Sequence, residues 1–348
     1  MPLVSIIMPV YNAEAWLTRA LDSLGSQTYE NIEVICVDNN STDASKSIIK
    51  DFAAADPRFK YLFESKPGSG HSRETGLAAA TGEYLMFCDA DDWYEINAVE
   101  LMTTVIESGS DLAVCDCHVV GDSASAASNY QYMCTPPHAL PAGTDNLTQW
   151  DKFHINKVLW NKIFKMEIVR RHALRFTSGP QDDASFVLQY LAHARSMRHL
   201  NIPLYNYFQH GDSQSDLRFT GRKCNGFLRV FGETCEFLKS QGLKLEDQDF
   251  MLVELIYSMD HKSLNTVRTI ELLEFLKTEL KPTLGAAVVE RWRLGELITR
   301  PQNILAQGQN LYLGQVEGQS RHDYIGMHVH YHHLAAHFVK CAATTPTC

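Results

Sequence analysis

The first 120 residues alternate between short apolar runs and segments whose apolar residues recur at helical spacing. The short runs predict strands at 3–9, 32–37, 60–63, 84–88 and 112–115. The segments between them place apolar side chains three and four residues apart, which predicts helices over 13–27, 43–54, 69–81 and 96–108. Strands that alternate with helices in this way predict the α/β class, with a mostly parallel sheet flanked by helices.

Beyond residue 120 the pattern changes. Residues 121–150 are rich in Ser, Ala and Asn and contain Pro136, Pro137 and Pro141, which predicts a long loop. Residues 151–215 return to mixed strand and helix, and from about residue 220 the pattern is helical, with an amphipathic segment over 272–280. We therefore expect an α/β domain over 1–218, in two parts (1–120 and 121–218), and a mostly helical C-terminal region over 219–348.

Composition and charge narrow the class of protein. The 348 residues are 45% hydrophobic and 21% charged, as in an ordinary globular protein, and the net charge of -10 argues against a nucleic-acid binder. The sequence contains no run of about 18 apolar residues, so we expect no membrane span. No basic segment precedes the first strand, so we expect no signal peptide. Nine scattered cysteines suit a reduced, cytoplasmic compartment.

Three polar motifs follow predicted strands. Pro9-Val10-Tyr11-Asn12 follows the first strand, a run from Asp38 to Asp43 follows the second, and Asp89-Ala90-Asp91-Asp92 follows the fourth. Each motif alone is also consistent with turn and helix-cap chemistry. The carboxyl ends of parallel strands meet at one edge of a sheet, where ligands bind, so the three together favour a ligand site.

The acidic motif carries the most chemical information. Three carboxylates within four residues repel one another unless a cation or solvent offsets their charge. Hard oxygen ligands suit Mg²⁺ or Mn²⁺, which commonly bridge substrate phosphates. The cluster therefore predicts a metal-bound diphosphate. Arg73, in the glycine-containing segment before the third helix, could donate to phosphate, with a structural salt bridge as the alternative.

Six segments in order resemble the family 2 glycosyltransferases with a GT-A fold, of the type that builds bacterial surface polysaccharides. They are Val4–Asn12, Ser26–Tyr29, Val37–Asp43, Ser72–Gly76, Thr81–Tyr84 and Asp89–Asp92. The resemblance covers about the first 115 residues and resumes more loosely from Trp160 to Ser215. It implies transfer of one sugar from a nucleoside diphosphate sugar to a hydroxyl of a growing glycan, with Mn²⁺ or Mg²⁺ and with inversion at the anomeric carbon.

The resemblance also implies a set of donor-binding residues, which are Pro9, Tyr11, Asn12, Asp38, Asn39, Arg73, Asp89 and Ala90. Asp91 is implied as a metal ligand, with Asp89 as a weaker one. Asn39 stands where the family usually has an aspartate that accepts from uracil. An amide can both accept and donate, so a UDP-sugar remains the expected donor. The family's Arg-Asn pair is Arg73-Glu74 here, and only Arg73 transfers.

The remaining assignments lie further along the chain. Asp182-Asp183 resembles the family's Glu-Asp motif, which implies Asp183 as the catalytic base; an N-cap carboxylate pair is the alternative. Trp160 is expected either to stack on an acceptor sugar or to lie in the core. His210 could complete the metal shell or hold a phosphate. His residues between His328 and His333 could bind zinc adventitiously.

The expected partners are a nucleoside diphosphate sugar and a glycan or lipid-linked glycan acceptor, without nucleic acid. The expected location is cytoplasmic, and peripheral association at the inner face of the membrane is the alternative.

Two other functions are alternatives to the glycosyltransferase. A sugar nucleotidyltransferase usually has a Gly-rich basic loop after its first strand, where this chain has Tyr11-Asn12-Ala13-Glu14. An inactive sugar-nucleotide-binding protein is disfavoured by the intact Asp89, Asp91 and Asp183.

Overall fold

The computed structural model describes residues 1–121, 143–147, 152, 155–177, 179, 182–210, 233–234 and 236–243. The chain separates into two compact units, Met1–Leu243 and Lys244–Cys348, and the described residues all belong to the first. The predicted loop at 122–142, the amphipathic segment at 272–280 and the histidines at 328–333 lie outside the described residues. The predicted boundary after residue 218 lies there too and stays a prediction.

Nine strands and six helices are described, in an order that confirms the α/β class. The strands are β1 (Val4–Val10), β2 (Ile32–Asp38), β3 (Phe59–Phe63), β4 (Tyr84–Phe87), β5 (Trp93–Tyr94), β6 (Leu112–Val120), β7 (Gly143–Thr144), β8 (Lys162–Lys165) and β9 (Met197–Phe208). The helices are α1 (Leu17–Gly25), α2 (Ser45–Ala55), α3 (Ser69–Ala79), α4 (Ala98–Glu107), α5 (Met166–Arg171) and α6 (Asp182–His193). Among the described residues, no helix is long and apolar enough to cross a bilayer.

The described strands form one sheet in the order β3-β2-β1-β4-β8-β6-β9-β5, with β7 paired to β9. Strands β3, β2, β1 and β4 are parallel, whereas β8 runs antiparallel to β4 and β6. The chain moves outward from β1 to β3 and then returns to place β4 on the other side of β1. Ligands bind beyond the strand ends at such a reversal, and the acidic loop after β4 lies at this point.

Hydrophobic spacing explains which face of each strand and helix is buried in the core. All seven residues of β2 are buried, because this strand lies between β1 and β3 with helices packed on the sheet. Helix α1 buries residues at positions i, i+3, i+4 and i+7, which are Leu17, Ala20, Leu21 and Leu24. Strand β6 extends to Val120, five residues beyond its predicted end, because it pairs with the long β9 across a register shift.

Helix α1 begins at Leu17, not at Ala13 as predicted. The residues before it are held by the start of α2. The backbone N–H of Glu14 donates to Asp43 (3.0 Å), and the Glu14 carboxylate accepts from the N–H of Ala44 (2.7 Å). These contacts fix the turn after β1 against the turn after β2, so the first two polar motifs form one continuous rim.

Candidate active site

The ends of β1 and β2 are joined by hydrogen bonds between their polar motifs. The N–H of Asn39 donates to the carbonyl of Val10 (2.8 Å), and the Asn12 side chain accepts from the N–H of Thr42 (2.8 Å). Pro9 is partly buried at the end of β1, while the Tyr11 side chain is 58% exposed. An exposed aromatic ring above a rigid rim is suited to stacking on a planar ligand.

The carboxylates of the acidic loop after β4 have three different environments. Asp92 is buried and accepts from the Tyr205 hydroxyl (2.7 Å) and from the N–H of Phe208 (2.7 Å), so it attaches the loop to β9. Asp89 accepts from Arg73 (3.0 Å). Asp91 is partly exposed and contacts Nε2 of His210 at 3.0 Å. The loop therefore uses one carboxylate for structure and leaves Asp91 paired with a histidine.

Helix α1 and strand β9 support the Asp91–His210 pair. The His210 ring stacks on Trp16, with centroids 4.0 Å apart. The Arg19 guanidinium lies over the rings of Trp93 (3.8 Å) and Phe208 (4.5 Å) and donates to the Asp91 carbonyl (2.9 Å). The stacked rings and the cation–π contacts hold the His210 ring and the Arg19 guanidinium in addition to their polar contacts with Asp91.

The residues present are compatible with a divalent cation that also binds substrate. The described residues contain no group of three or more His, Cys, Asp or Glu side chains arranged around a metal position. Mg²⁺-type sites, however, often use one or two protein ligands and fill the rest of the shell with phosphate and water. Asp91 and His210 are the residues that would supply two such ligands.

Arg73 joins the acidic loop to helix α6. Its side chain is buried and donates to Asp182 (2.6 Å) and to Asp89 (3.0 Å). Burial lowers the pKa of Arg73, but Asp182 and Asp89 outweigh it and hold the pKa above its usual value. Each terminal nitrogen donates one hydrogen bond to a carboxylate and carries a second hydrogen, so donation by Arg73 to phosphate stays a prediction. The structural salt bridge is the arrangement found.

The two carboxylates at the start of α6 differ sharply. Asp182 is 4% exposed and accepts from Ser69 Oγ (2.9 Å) as well as from Arg73. Asp183 is partly exposed, and its one hydrogen bond among the described residues comes from the N–H of Ala184 (2.8 Å). Burial, and then the charge of Asp182, raise the pKa of Asp183 to about 6, while Arg73 opposes the shift. Asp183 is therefore a carboxylate poised to accept a proton near neutral pH.

Asn39 does not present its amide as predicted. Its Nδ2 donates to the carbonyls of Glu64 (2.9 Å) and Lys66 (2.7 Å), and its Oδ1 accepts from the N–H of Gly68 (2.7 Å). Both amide hydrogens are used, so the expectation that Asn39 also donates to a uracil carbonyl is wrong for this conformation. Asp38 is buried as well and accepts from the N–H of Ser41 (3.0 Å).

Trp160 lies in the core. It is 5% exposed, and its ring stacks on Tyr205 with centroids 4.5 Å apart and an interplanar angle of 10°. A ring covered in this way has little surface for an acceptor sugar, so the core alternative is favoured. Ala90 is also buried, in the same hydrophobic cluster, and contributes no side-chain polar group to the site.

The site carries excess negative charge. Its five mutually interacting carboxylates face two guanidinium groups; the carboxylates are Asp89, Asp91, Asp92, Asp182 and Asp183, and the guanidiniums are Arg19 and Arg73. Burial, with Asp91 and Asp89 nearby, raises the pKa of Asp92 well above its usual range. Such a cluster favours binding of a cation.

Sequence reasoning missed the residues that hold the site in place. It gives Trp16, Arg19, Ser69 and Tyr205 no site role. Trp16 lies directly before α1, three residues from Arg19, but the helical period gives no sign that His210 stacks on Trp16 or that Phe208 at the end of β9 covers Arg19. Their partners are more than 70 residues away in sequence.

Comparisons with known proteins identify the family and the fold. Residues 5–171 match the family model Glycosyl transferase family 2. EpsH of Bacillus subtilis, named as a glycosyltransferase, is 29% identical over 255 residues, which are 71% of this chain and 72% of that protein. The match to the family model ends before α6, so Asp183 and His210 are assigned from their contacts and the looser resemblance alone.

Two solved structures share the fold. Staphylococcus aureus TarS 1-349, in complex with UDP-GlcNAc, gives a TM-score of 0.62 at 20% identity and covers 81% of this chain and 78% of that one. The mannosyltransferase PcManGT from Pyrobaculum calidifontis, in complex with GDP-Man and Mn2+, gives 0.51 at 17% identity, with 98% and 86% covered. Over residues 5–171 the chain carries the glycosyl transferase family 2 match, and it is an enzyme of the transferase class with a GT-A fold.

Proposed function

We propose that this protein is a metal-dependent, inverting glycosyltransferase that moves one sugar from a nucleoside diphosphate sugar to a hydroxyl of a growing glycan. The observation that carries the proposal is the Arg73 bridge. One buried guanidinium holds Asp89 of the acidic loop and Asp182 of helix α6, so the loop that receives the donor and the helix that bears Asp183 are fixed together.

The donor binds at the carboxyl edge of β1, β2 and β4. Tyr11 stacks on the base from the exposed rim, and Asp38 and Asn12 hold the turns that shape this rim. Uridine is the first base to test, because TarS, which has this fold, binds UDP-GlcNAc. Asn39 no longer supports that choice, since its amide hydrogens are used within the chain.

Asp91 and His210 are the residues that would hold a divalent ion. When bound, this ion supplies positive charge opposite the diphosphate, which stabilises it as a leaving group. Arg19 of α1 and Trp16, which directly precedes α1, keep the two ligands in place. Mn²⁺ is the first ion to test, because PcManGT, which has this fold, is in complex with GDP-Man and Mn2+.

Asp183 is the proposed catalytic base. It takes the proton from the acceptor hydroxyl as that oxygen attacks the anomeric carbon from the face opposite the diphosphate. The single displacement inverts the anomeric centre. Its pKa of about 6 leaves it mostly ionised at pH 7 yet basic enough to accept a proton. The acceptor is a surface glycan or its lipid-linked precursor, as the family resemblance implies.

A panel of nucleoside diphosphate sugars tests the proposal. Release of nucleoside diphosphate is measured with and without Mn²⁺, first as hydrolysis and then with glycan acceptors. We expect turnover of one uridine diphosphate sugar, lost in EDTA and restored by Mn²⁺. Failure of every nucleoside diphosphate sugar to bind in the presence of Mn²⁺ would contradict the proposal.

A further inference from the structure

Asn39 makes three side-chain hydrogen bonds to one loop. Its side chain is buried at the end of β2, and all its partners lie in the segment between β3 and α3. The donors reach the carbonyls of Glu64 and Lys66, and the acceptor receives the N–H of Gly68. Two carbonyls and one N–H fix which end of the amide is which, so the orientation follows from its partners.

Gly68 is the point at which this contact reaches the site. It has φ +124, a conformation that L side chains rarely adopt, and its carbonyl accepts the first bonds of α3, from His71 and Ser72. Asn39 therefore holds the residue on which α3 starts. The next residue, Ser69, donates to Asp182, and Arg73 one turn later binds Asp182 and Asp89.

We propose that Asn39 is a positioning residue. It sets the start of α3 and thereby positions Ser69 and Arg73, which bind helix α6 and the acidic loop after β4. It does not read the base of the donor. The inference rests on the proposed function in one respect, namely that Asp183, next to Asp182, is the base. It adds that the loop over residues 64–68 helps to position the residues of the active site.

An aspartate at this position separates the two roles. A base-reading side chain needs an acceptor for the uracil ring N–H, which aspartate supplies as well as or better than asparagine. A side chain that holds two carbonyls needs two donors, which aspartate lacks. Asn39→Asp would place a carboxylate against the carbonyls of Glu64 and Lys66, a repulsive contact at a buried position.

The first experiment compares Asn39→Asp and Asn39→Ala with the control Asn40→Asp. Asn40 makes the same kind of bonds to the outer part of the loop, to Glu64 and Ser65, but it is exposed and does not contact Gly68. We expect kcat to fall at least tenfold in both Asn39 variants and less than threefold in the control. The ratio of UDP to CDP dissociation constants should stay within about twofold of wild type.

A change of more than tenfold in that ratio would overturn the proposal, because only a residue that contacts the base discriminates uracil from cytosine. Wild-type kcat in Asn39→Asp would also overturn it. Amide hydrogen exchange at Gly68 gives a readout that needs no turnover. We expect exchange there to rise at least tenfold in Asn39→Ala, and unchanged exchange would show that the contact does not hold the loop.

A double-mutant cycle with Ser69→Ala tests whether Asn39 acts through α3. If it does, Asn39→Ala should lower kcat much less in the Ser69→Ala background than in wild type. Equal losses of kcat in both backgrounds, with the variants folded at the assay temperature, would show that Asn39 does not act through α3 and would contradict the proposal. Failure of the base assignment would be seen separately, as retained turnover in Asp183→Asn, and would leave the exchange and nucleotide-ratio results interpretable.

Discussion

Asp183→Asn is the substitution that tests the mechanism most directly. Asparagine has nearly the shape of aspartate and keeps an oxygen for the N–H of Ala184, which is the hydrogen bond that Asp183 accepts among the described residues. It cannot accept a proton. The loss of a general base costs on the order of 10²–10⁴ in rate, so we expect turnover to fall by that factor while donor affinity stays near wild type.

The structure also predicts the sign of the stability change. A carboxylate whose pKa rises from 3.8 to about 6 in the folded state favours folding when protonated. This stability is fully present below pH 3.8 and is lost as pH rises through 6, by about 3 kcal/mol at about 1.36 kcal/mol per pKa unit. The amide in the Asp183→Asn variant does not ionise. The variant should therefore equal or exceed wild type in melting temperature at pH 7.5, and the advantage should shrink toward pH 4.

Three measurements check this prediction. Nucleoside diphosphate release at saturating donor gives kcat, titration calorimetry gives donor affinity, and thermal melts at pH 4.5 and 7.5 give stability. In wild type, kcat/KM should rise with pH and level off above about pH 6, because the base must be ionised. Asp51→Asn, exposed on α2, is the matched charge control and should behave as wild type.

Asp182→Asn is not a neutral control, although it lies one residue away. Asp182 binds Ser69 and Arg73 in a buried position, and breaking such a pair costs about 3–5 kcal/mol. We expect it to lower the melting temperature, in contrast to Asp183→Asn. Normal turnover in Asp183→Asn would refute the base assignment. Lost turnover in Asp183→Asn together with a lower melting temperature would refute the argument that burial raises the pKa of Asp183.

Three further predictions follow from the same contacts. Asp91→Asn should weaken Mn²⁺-dependent UDP binding at least tenfold with little change in melting temperature, and full turnover in EDTA would contradict the metal assignment. The product should have the opposite anomeric configuration from the donor, which proton NMR of fresh product decides. Burial raises the pKa of Glu33, but Lys60, Ser5 and Thr81 outweigh it and lower the pKa to about 2. The stability that the ionised Glu33 contributes is present above about pH 4.5 and is lost as pH falls toward 2. Glu33→Gln should therefore lower the free energy of unfolding at pH 7 by up to about 3 kcal/mol. Urea melts measure this change, and an unchanged midpoint would contradict it.

The sequence predicted the alternating strands and helices of the parallel half of the sheet and the edge at which its polar motifs meet. Buried runs such as Ile32–Asp38 and the helical spacing of Leu17 to Leu24 are local signals, since they reflect which face of one element avoids water. The polar motifs after β1, β2 and β4 then had to lie together, because the carboxyl ends of parallel strands share an edge. The antiparallel insertion of β8 was not visible, because pairing direction depends on partners distant in the chain.

Only the tertiary structure decided what each polar side chain does. Asp182 and Asp183 are alike in sequence, yet successive residues of a helix point about 100° apart, so one meets Arg73 and the other keeps no ion pair among the described residues. The sequence pattern leaves phosphate and a structural salt bridge open for Arg73 and suggests the base for Asn39; in the structure Arg73 binds carboxylates and Asn39 binds a loop. A residue type states which bonds a side chain can make. Its partners, brought from up to 119 residues away, determine which of those bonds are already used before any substrate arrives.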